Sequence, residues 1–246
     1  MFAAEERHWW YAGMRAISRA LLTRELQCPA SLRVLDAGCG TGGNLTWLSQ
    51  YGRAVGVDLS PLAVTLARQR PVTVSQGDLL RLPFCDNAFD LATSFDVLYH
   101  RWVADDAAAV RELVRVLRPG ALLFVRVPAL KWLWGAHDEE VLSRHRYTRG
   151  EISQLLSACG VSAVRSTYCN TLLFPVIAVR RVLDRWLHRQ GSDVEALPTP
   201  LEWAFRRALD LEAWWLARGV LPWGSSVLAW GRKTPTTADE SAREVK

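Results

Sequence analysis

Three carboxylates stand where short apolar runs end. Asp36 follows Val34-Leu35, Asp58 follows Ala54-Val55-Gly56-Val57, and Asp78 closes Val72-Thr73-Val74-Ser75-Gln76-Gly77. Between the first two lie Gly38, Gly40, Gly42 and Gly43, which satisfy both G-x-G-x-x-G and G-x-G-x-G. Glycines there let main-chain N–H groups and a helix start approach a ligand with no Cβ in the way. An acid about 20 residues beyond such glycines can accept hydrogen bonds from both hydroxyls of a ribose. The set therefore fits a nucleotide-like cofactor held at the carboxyl edge of a parallel sheet. The glycines alone leave a ligand-free turn open.

A second set of side chains could move protons. His100 follows Asp96-Val97-Leu98-Tyr99, and His137, Asp138, Glu139, His145 and Tyr147 crowd the segment 128–147. Imidazole titrates near neutrality, so His100, His137 and His145 are candidates for a base, with Tyr147 beside them. The plainer readings are a core or helix-start histidine at 100 and a solvated loop over 128–147. Two histidines with acids invite a metal, but their spacing matches no ligand motif, and no metal is expected.

The elements that must position these residues alternate. Strands are expected to end at Asp36, Asp58 and Asp78, with a fourth at Phe89–Asp96 and a fifth after Leu117-Arg118-Pro119-Gly120. Between them, Ser60-Pro61 is a helix start with serine as cap and proline at the first helical position. The stretch 104–117 is helical, stopped by Arg118-Pro119-Gly120. The alternation predicts an α/β, doubly wound parallel sheet. Residues 5–26 read as a helical extension, in which His8-Trp9-Trp10-Tyr11 fold over the site as a lid or pack on the sheet. Thr148-Arg149-Gly150-Glu151 has capping-box spacing and opens a helix through Cys159, ended by Gly160. Val161–Asn170 and Ser226–Arg232 read as the sixth and seventh strands. The stretch between them, 172–222, is too long for a hairpin loop and holds helical patterns over 172–188 and 201–218. It is expected to be a helical insertion that covers the site's mouth or forms a partner surface; its apolar stripe of Leu201, Phe205, Leu209 and Leu216 reads first as core packing, with a membrane-facing or dimerising surface as the alternative. The tail 234–246 is expected to be disordered.

The ordered landmarks D-x-G-x-G-x-G, G-x-D, G-D and L-R-P-G resemble the class I S-adenosylmethionine-dependent methyltransferases, closest to their small-molecule group. The likeness covers residues 32–127. It implies a Rossmann-like, seven-stranded fold closed by an antiparallel pair, one domain over 31–233, and S-adenosylmethionine as cofactor. Position by position it implies cofactor contacts at Asp36, Gly38, Cys39, Gly40, Gly42, Asp58, Leu59, Asp78, Leu79 and Phe95. Arg15 is a candidate for the cofactor carboxylate. Asp58 would take the ribose hydroxyls, and Asp78 with the Leu79 main chain the adenine. His100 would be the first candidate base for methyl transfer to a small acceptor, by O- or N-methylation of an amphipathic, aromatic or lipid-linked molecule. An NAD(P)-dependent oxidoreductase using the same glycines, or a non-catalytic cofactor-binding protein, are the alternatives. Ala121 departs from the family's usual second glycine, while Gly120 still permits the turn.

Composition sets the remaining bounds. The chain has 246 residues, a net charge of +5 and an apolar half. That suffices for one large α/β domain with a sizeable core. Arginines are dispersed, so no nucleic-acid partner is expected. The five cysteines show no C-x-x-C spacing, and the N-terminus is charged and aromatic. A reducing, cytoplasmic setting is expected from these. Twelve tryptophans are present, and seven of them (132, 134, 186, 203, 214, 215 and 223) lie between the fifth and seventh expected strands. They are expected to wall an apolar acceptor, to touch a membrane peripherally, or to pair two copies of the chain.

Overall fold

A computed structural model describes residues 5, 8–26, 31–187 and 198–235, with side chains through 183 in the last helix before the gap. The expected tail from 236 on, the linker 188–197 and the side chain of Trp186 lie outside what is described. Seven strands form one sheet in the order β3-β2-β1-β4-β5-β7-β6. They are β1 (Leu32–Ala37), β2 (Gly52–Asp58), β3 (Thr73–Gln76), β4 (Phe89–Phe95), β5 (Leu117–Pro128), β6 (Val161–Cys169) and β7 (Ser226–Lys233). The pairs among β1 to β5 are parallel, and β7 runs antiparallel between β5 and β6. Strand order reverses between β1 and β4, which opens a crevice at their carboxyl ends.

The helices are α1 (Trp9–Leu26), α2 (Gly43–Leu48), α3 (Pro61–Ala67), α4 (Asp106–Val116), α5 (Ala136–Glu140), α6 (Arg149–Ala158), α7 (Phe174–Leu187) and α8 (Thr199–Leu216). Local chemistry explains their starts. Ser60 Oγ accepts from the Ala63 amide at the head of α3. Thr148 and Glu151 exchange reciprocal side-chain bonds at the head of α6, worth about 1 kcal/mol for such a cap. Helix α4 stops at Val116, and β5 begins at once with Leu117. The Pro119-Gly120 turn sits inside that strand, with Gly120 at φ 80°, rather than before it.

Two apolar layers sandwich the sheet. One packs α4 and α6 on Leu35, Leu123, Val125 and Ala229. The other packs α1 and α8 on Val34, Leu91, Phe124 and Trp230. A Cβ on Gly13 of α1 would lie 2.1 Å from Leu209 Cδ1, so only glycine admits this close crossing. Trp9 meets Phe205 edge-on at 5.1 Å, and Arg24 Nη1 donates to the Leu216 carbonyl at 2.9 Å. The two helices therefore run the same way along one another. Of the stripe read as apolar in the insertion, Leu209 and Leu216 are fully buried, whereas Leu201 is 39% exposed. Helix α8 is a core layer and not a lid. Glu212 on its inner face accepts from the amides of Asn170, Thr171 and Leu172, which pins the exit from β6.

Candidate active site

The edge formed by β1, β2 and β3 is built from main chain. Gly38, Gly40 and Gly42 all have left-handed φ, of 79°, 54° and 81°. The amides of Gly38 and Cys39 both donate to the Val57 carbonyl, at 2.7 and 3.0 Å, and tie the loop to β2. A Cβ at Gly40 would meet nothing within 4 Å, so this glycine borders open space. Asp58 Oδ2 accepts from the Gly40 amide at 2.8 Å, and Oδ1 accepts from the Ser60 amide at 2.9 Å. Each oxygen keeps a lone pair for a further donor. Asp78 Oδ1 accepts from the Leu80 amide at 2.8 Å. Leu59 is 40% exposed at the rim, while the Leu79 side chain is buried in the core. The Cys39 thiol is buried against Gly56, and burial pushes it far above the usual thiol range. It is a packing group rather than a nucleophile.

Asp36 lies at the bottom of the same crevice, 1% exposed. Its Oδ1 accepts from Thr93 Oγ1 at 2.8 Å, and its Oδ2 is buried with no partner among the described residues. Burial pushes its carboxyl up to about 7. An unpaired, buried carboxylate oxygen is costly unless a donor completes it, and a cation completes it best.

Glu5, a residue sequence reasoning passed over, reaches the glycine loop. Thr41 Oγ1 donates to Glu5 Oε2 at 2.5 Å, and Arg70 Nη2 lies 3.6 Å from the same oxygen. Arg15 Nη1 donates to the Glu5 carbonyl at 2.7 Å, so its guanidinium braces the N-terminal segment. Phe95 is 6% exposed, packed between Trp47 and Phe124 with the Arg126 guanidinium 5.1 Å over its ring.

The edge beyond β4 is built from side chains. Asp96 has φ 59°, a conformation that a non-glycine residue adopts only when its surroundings enforce it. Arg126, buried in β5, enforces it: Nε and Nη2 both donate to Asp96 Oδ2, at 2.8 and 2.6 Å. Burial opposes the Arg126 charge and Asp96 outweighs that opposition, so the guanidinium stays ionised. Asp96 Oδ1 has no hydrogen bond among the described residues. Trp10 lies 5.8 Å from the same guanidinium. Burial, then the Asp96 charge, raises the Tyr99 phenol; burial and the Glu5 and Asp96 charges raise that of Tyr11. Sequence held one signal for this pair: an arginine inside the apolar run Leu122–Val127.

The four candidate proton-transfer residues occupy different surroundings. His100 Nδ1 accepts from the Trp102 amide at 3.2 Å. That places the proton of the neutral ring on Nε2, which can donate and not accept. Burial holds its pKa below the ordinary value. His145 packs edge-on against Tyr147 at 4.5 Å, and burial lowers it too. Tyr147 is 2% exposed and donates to Asp106 Oδ2 at 2.7 Å, which with burial raises its phenol beyond reach. It is a structural strut rather than a reacting group. His137 sits on α5 with Nδ1 3.8 Å from Glu140 Oε2. Nor is 128–147 a solvated loop. Asp138 and Arg146 form a buried two-pronged pair at 2.7 and 3.0 Å, completed by the Gly135 amide and the Ala129 carbonyl.

A Rossmann-like sheet with a glycine loop and strand-end acids at its switch point defines a protein of the class that binds a nucleotide-type cofactor. Residues 35–125 match the family described as a methyltransferase domain, Methyltransf_11. The chain is 31% identical over 160 residues to a probable S-adenosylmethionine-dependent methyltransferase of Mycolicibacterium smegmatis, covering 63% of this chain and 60% of that protein. It is 35% identical over 133 residues to the malonyl-[acyl-carrier protein] O-methyltransferase of Serratia marcescens, covering 52% and 51%. Its fold matches that of a Thermotoga maritima methyltransferase described as a possible histamine N-methyltransferase. There the TM-score is 0.59 and the identity 20%, over 95% of this chain and 96% of that one. Residues 35–125 thus carry a methyltransferase domain, and the chain is similar to S-adenosylmethionine-dependent methyltransferases beyond it. This sets aside the nicotinamide-dependent alternative. The chain spans between 51% and 60% of the length of these two curated relatives.

Proposed function

We propose that this protein transfers a methyl group from S-adenosylmethionine to a small organic acceptor through oxygen or nitrogen. The observation that carries the reading is the cradle around Gly40: open space above a left-handed loop, with the unpartnered Asp36 Oδ2 beneath it. The residues fit the cofactor group by group. Asp36 offers its open oxygen to the ammonium, and the glycine loop passes beneath the ribose. Asp58 takes the ribose hydroxyls with its remaining lone pairs, and Asp78 with the Leu79 main chain borders the adenine. When bound, the cofactor supplies an electrophilic methyl on sulfur.

On this reading the acceptor enters beside Asp96, between Trp10, Tyr11 and Tyr99. Asp96 Oδ1 accepts the hydrogen of the attacking N–H or O–H group. His100 Nε2–H donates to the acceptor and orients it. The aromatic rings exclude water and suit an amphipathic, aromatic or lipid-linked molecule.

Thermal unfolding with S-adenosylhomocysteine and with NAD tests the cofactor. At a ligand concentration 100-fold above Kd, binding adds about 2.7 kcal/mol of stability. Stabilisation by S-adenosylhomocysteine is expected; stabilisation by NAD alone would refute the assignment. Transfer of a tritiated methyl into organic-soluble cell extract, lost in Asp96→Asn while S-adenosylhomocysteine still binds, tests the acceptor side.

A further inference from the structure

Helix α8 has a second face that its packing does not use. Trp203, Arg207, Leu211, Trp214 and Trp215 fall within one third of the helix circumference, opposite Leu209, Ala213 and Leu216, and Arg218 follows just past the helix end. Trp203, Leu211, Trp214 and Trp215 are 63, 58, 55 and 53% exposed. Large aromatic surface facing solvent on a helix whose other side already fills the core is a surface in want of a partner. The two arginines do not shield it by pairing with acids alone. Arg207 lies 5.5 Å over the Trp203 ring and Arg218 4.6 Å over the Trp214 ring. Asp210 offsets part of the charge, 3.9 Å from Arg207 and 3.0 Å from Arg206.

A separate feature adjoins this face. An open cleft of about 610 Å³ is lined by Arg24, Arg149, Arg165 and Arg218, with Val220 and Trp230. One carboxylate, Glu25, touches two of these cations, at 3.1 Å from Arg24 and 3.5 Å from Arg165. Four guanidiniums against one carboxylate leave a cationic hollow that opens beside exposed aromatic rings, with Arg218 common to both.

We infer that this surface docks on an anionic lipid bilayer. Tryptophan rings settle at the level where headgroups meet acyl chains, and arginines beside them meet lipid phosphates. The cleft receives one such headgroup. No helix among the described residues is long and apolar enough to cross a membrane, so contact would be peripheral. The inference is independent of the methyl-transfer reading.

Co-sedimentation of the full chain with vesicles tests it. Vesicles of equal parts phosphatidylglycerol and phosphatidylcholine should pellet the protein at low salt. Pure phosphatidylcholine, or salt at about 0.5 M, should release most of it by screening the arginines. Trp214→Ser with Trp215→Ser should weaken partitioning at least about tenfold through lost apolar burial. Arg218→Glu should do the same through charge. Unchanged affinity for S-adenosylhomocysteine shows that each variant is folded. Wild-type protein left in the supernatant with the anionic vesicles overturns the inference, as does full retention of vesicle binding by all variants. Competition by millimolar inorganic phosphate without vesicle dependence would make the cleft a free-phosphate site instead. A dimer that dissociates on the same substitutions, with no vesicle binding, would assign the face to a second copy of the chain.

Discussion

The two ends of the crevice are made of different material. The end at β1, β2 and β3 is main chain: left-handed glycines, amides tied to the Val57 carbonyl, and acids anchored by neighbouring N–H groups. The end beyond β4 is side chain: Arg126 on Asp96 and Tyr147 on Asp106 join distant parts of the chain, and Arg146 on Asp138 clasps the segment between β5 and α6 on itself. A backbone-built end tolerates varied side chains as long as the glycines stay. A side-chain-built end can be rebuilt for another acceptor without disturbing the first. The contrast accounts for a family likeness that covers the glycine loop and the strand ends.

Breaking the clasp of the side-chain end should produce the largest effect. Asp138→Ala leaves Arg146 buried and uncompensated, which costs about 4 kcal/mol of folding stability. Urea unfolding reads this directly. A loss under about 1 kcal/mol would show that the segment 128–147 holds its shape without the pair.

The main-chain end is challenged by Asp58→Ala. On the proposed reading Asp58 makes two charge-assisted bonds to ribose, so affinity for S-adenosylhomocysteine should fall about 100-fold. Calorimetry measures it, and Asp138→Ala, corrected for its unfolded fraction, should leave the same affinity nearly intact. Equal losses in both variants would erase the division between the two ends.

Asp36 ties ligand binding to pH, in a direction opposite to its effect on folding. Its folded pKa is raised from 3.8 to about 7, so the folded state holds the extra proton between those values. Stability of the free protein should therefore fall as pH rises through that window. Affinity for a cationic ammonium should move the other way, improving about tenfold from pH 6 to pH 8 as the carboxylate ionises. Calorimetry at several pH values, with proton uptake read from buffers of different ionisation enthalpy, checks both signs.

How much of this was legible in the sequence follows the same division. The glycines, Asp58 and Asp78 lie within a few residues of the turns they shape, so spacing alone revealed them. Ser60, Thr148 and Glu151 announced their helices for the same local reason. Arg126 and Asp96 are adjacent only because β5 pairs with β4, and Glu5 meets Thr41 only once α1 lies along the sheet. Tyr147 looked reactive by type, and its partner Asp106 comes from a helix that spacing does not connect to it. Helix α8 was readable as a helix. Its apolar stripe pointed to core packing; which helix it packs on, and how closely, depends on Gly13 of α1 admitting Leu209.

The smallest effect, and the finest test of the contrast, concerns His100, which sits between the two ends. Its Nδ1 is spent on the Trp102 amide, a contact within its own turn, so the neutral ring keeps Nε2–H as a donor. Nitrogen-15 NMR should show the Nε2–H tautomer and a titration midpoint below the usual 6.5, since burial opposes the charged ring. The folded protein then binds this proton less readily than the unfolded chain, so stability should drop slightly as pH falls below 6.5. His100→Ala should cost about 1 kcal/mol from the lost bond and a few-fold in turnover, well short of the 100-fold or more that removal of a base produces. A larger loss of turnover, with a pH profile that loses its acidic limb in the variant, would return the proton-accepting role to His100 and take it from Asp96.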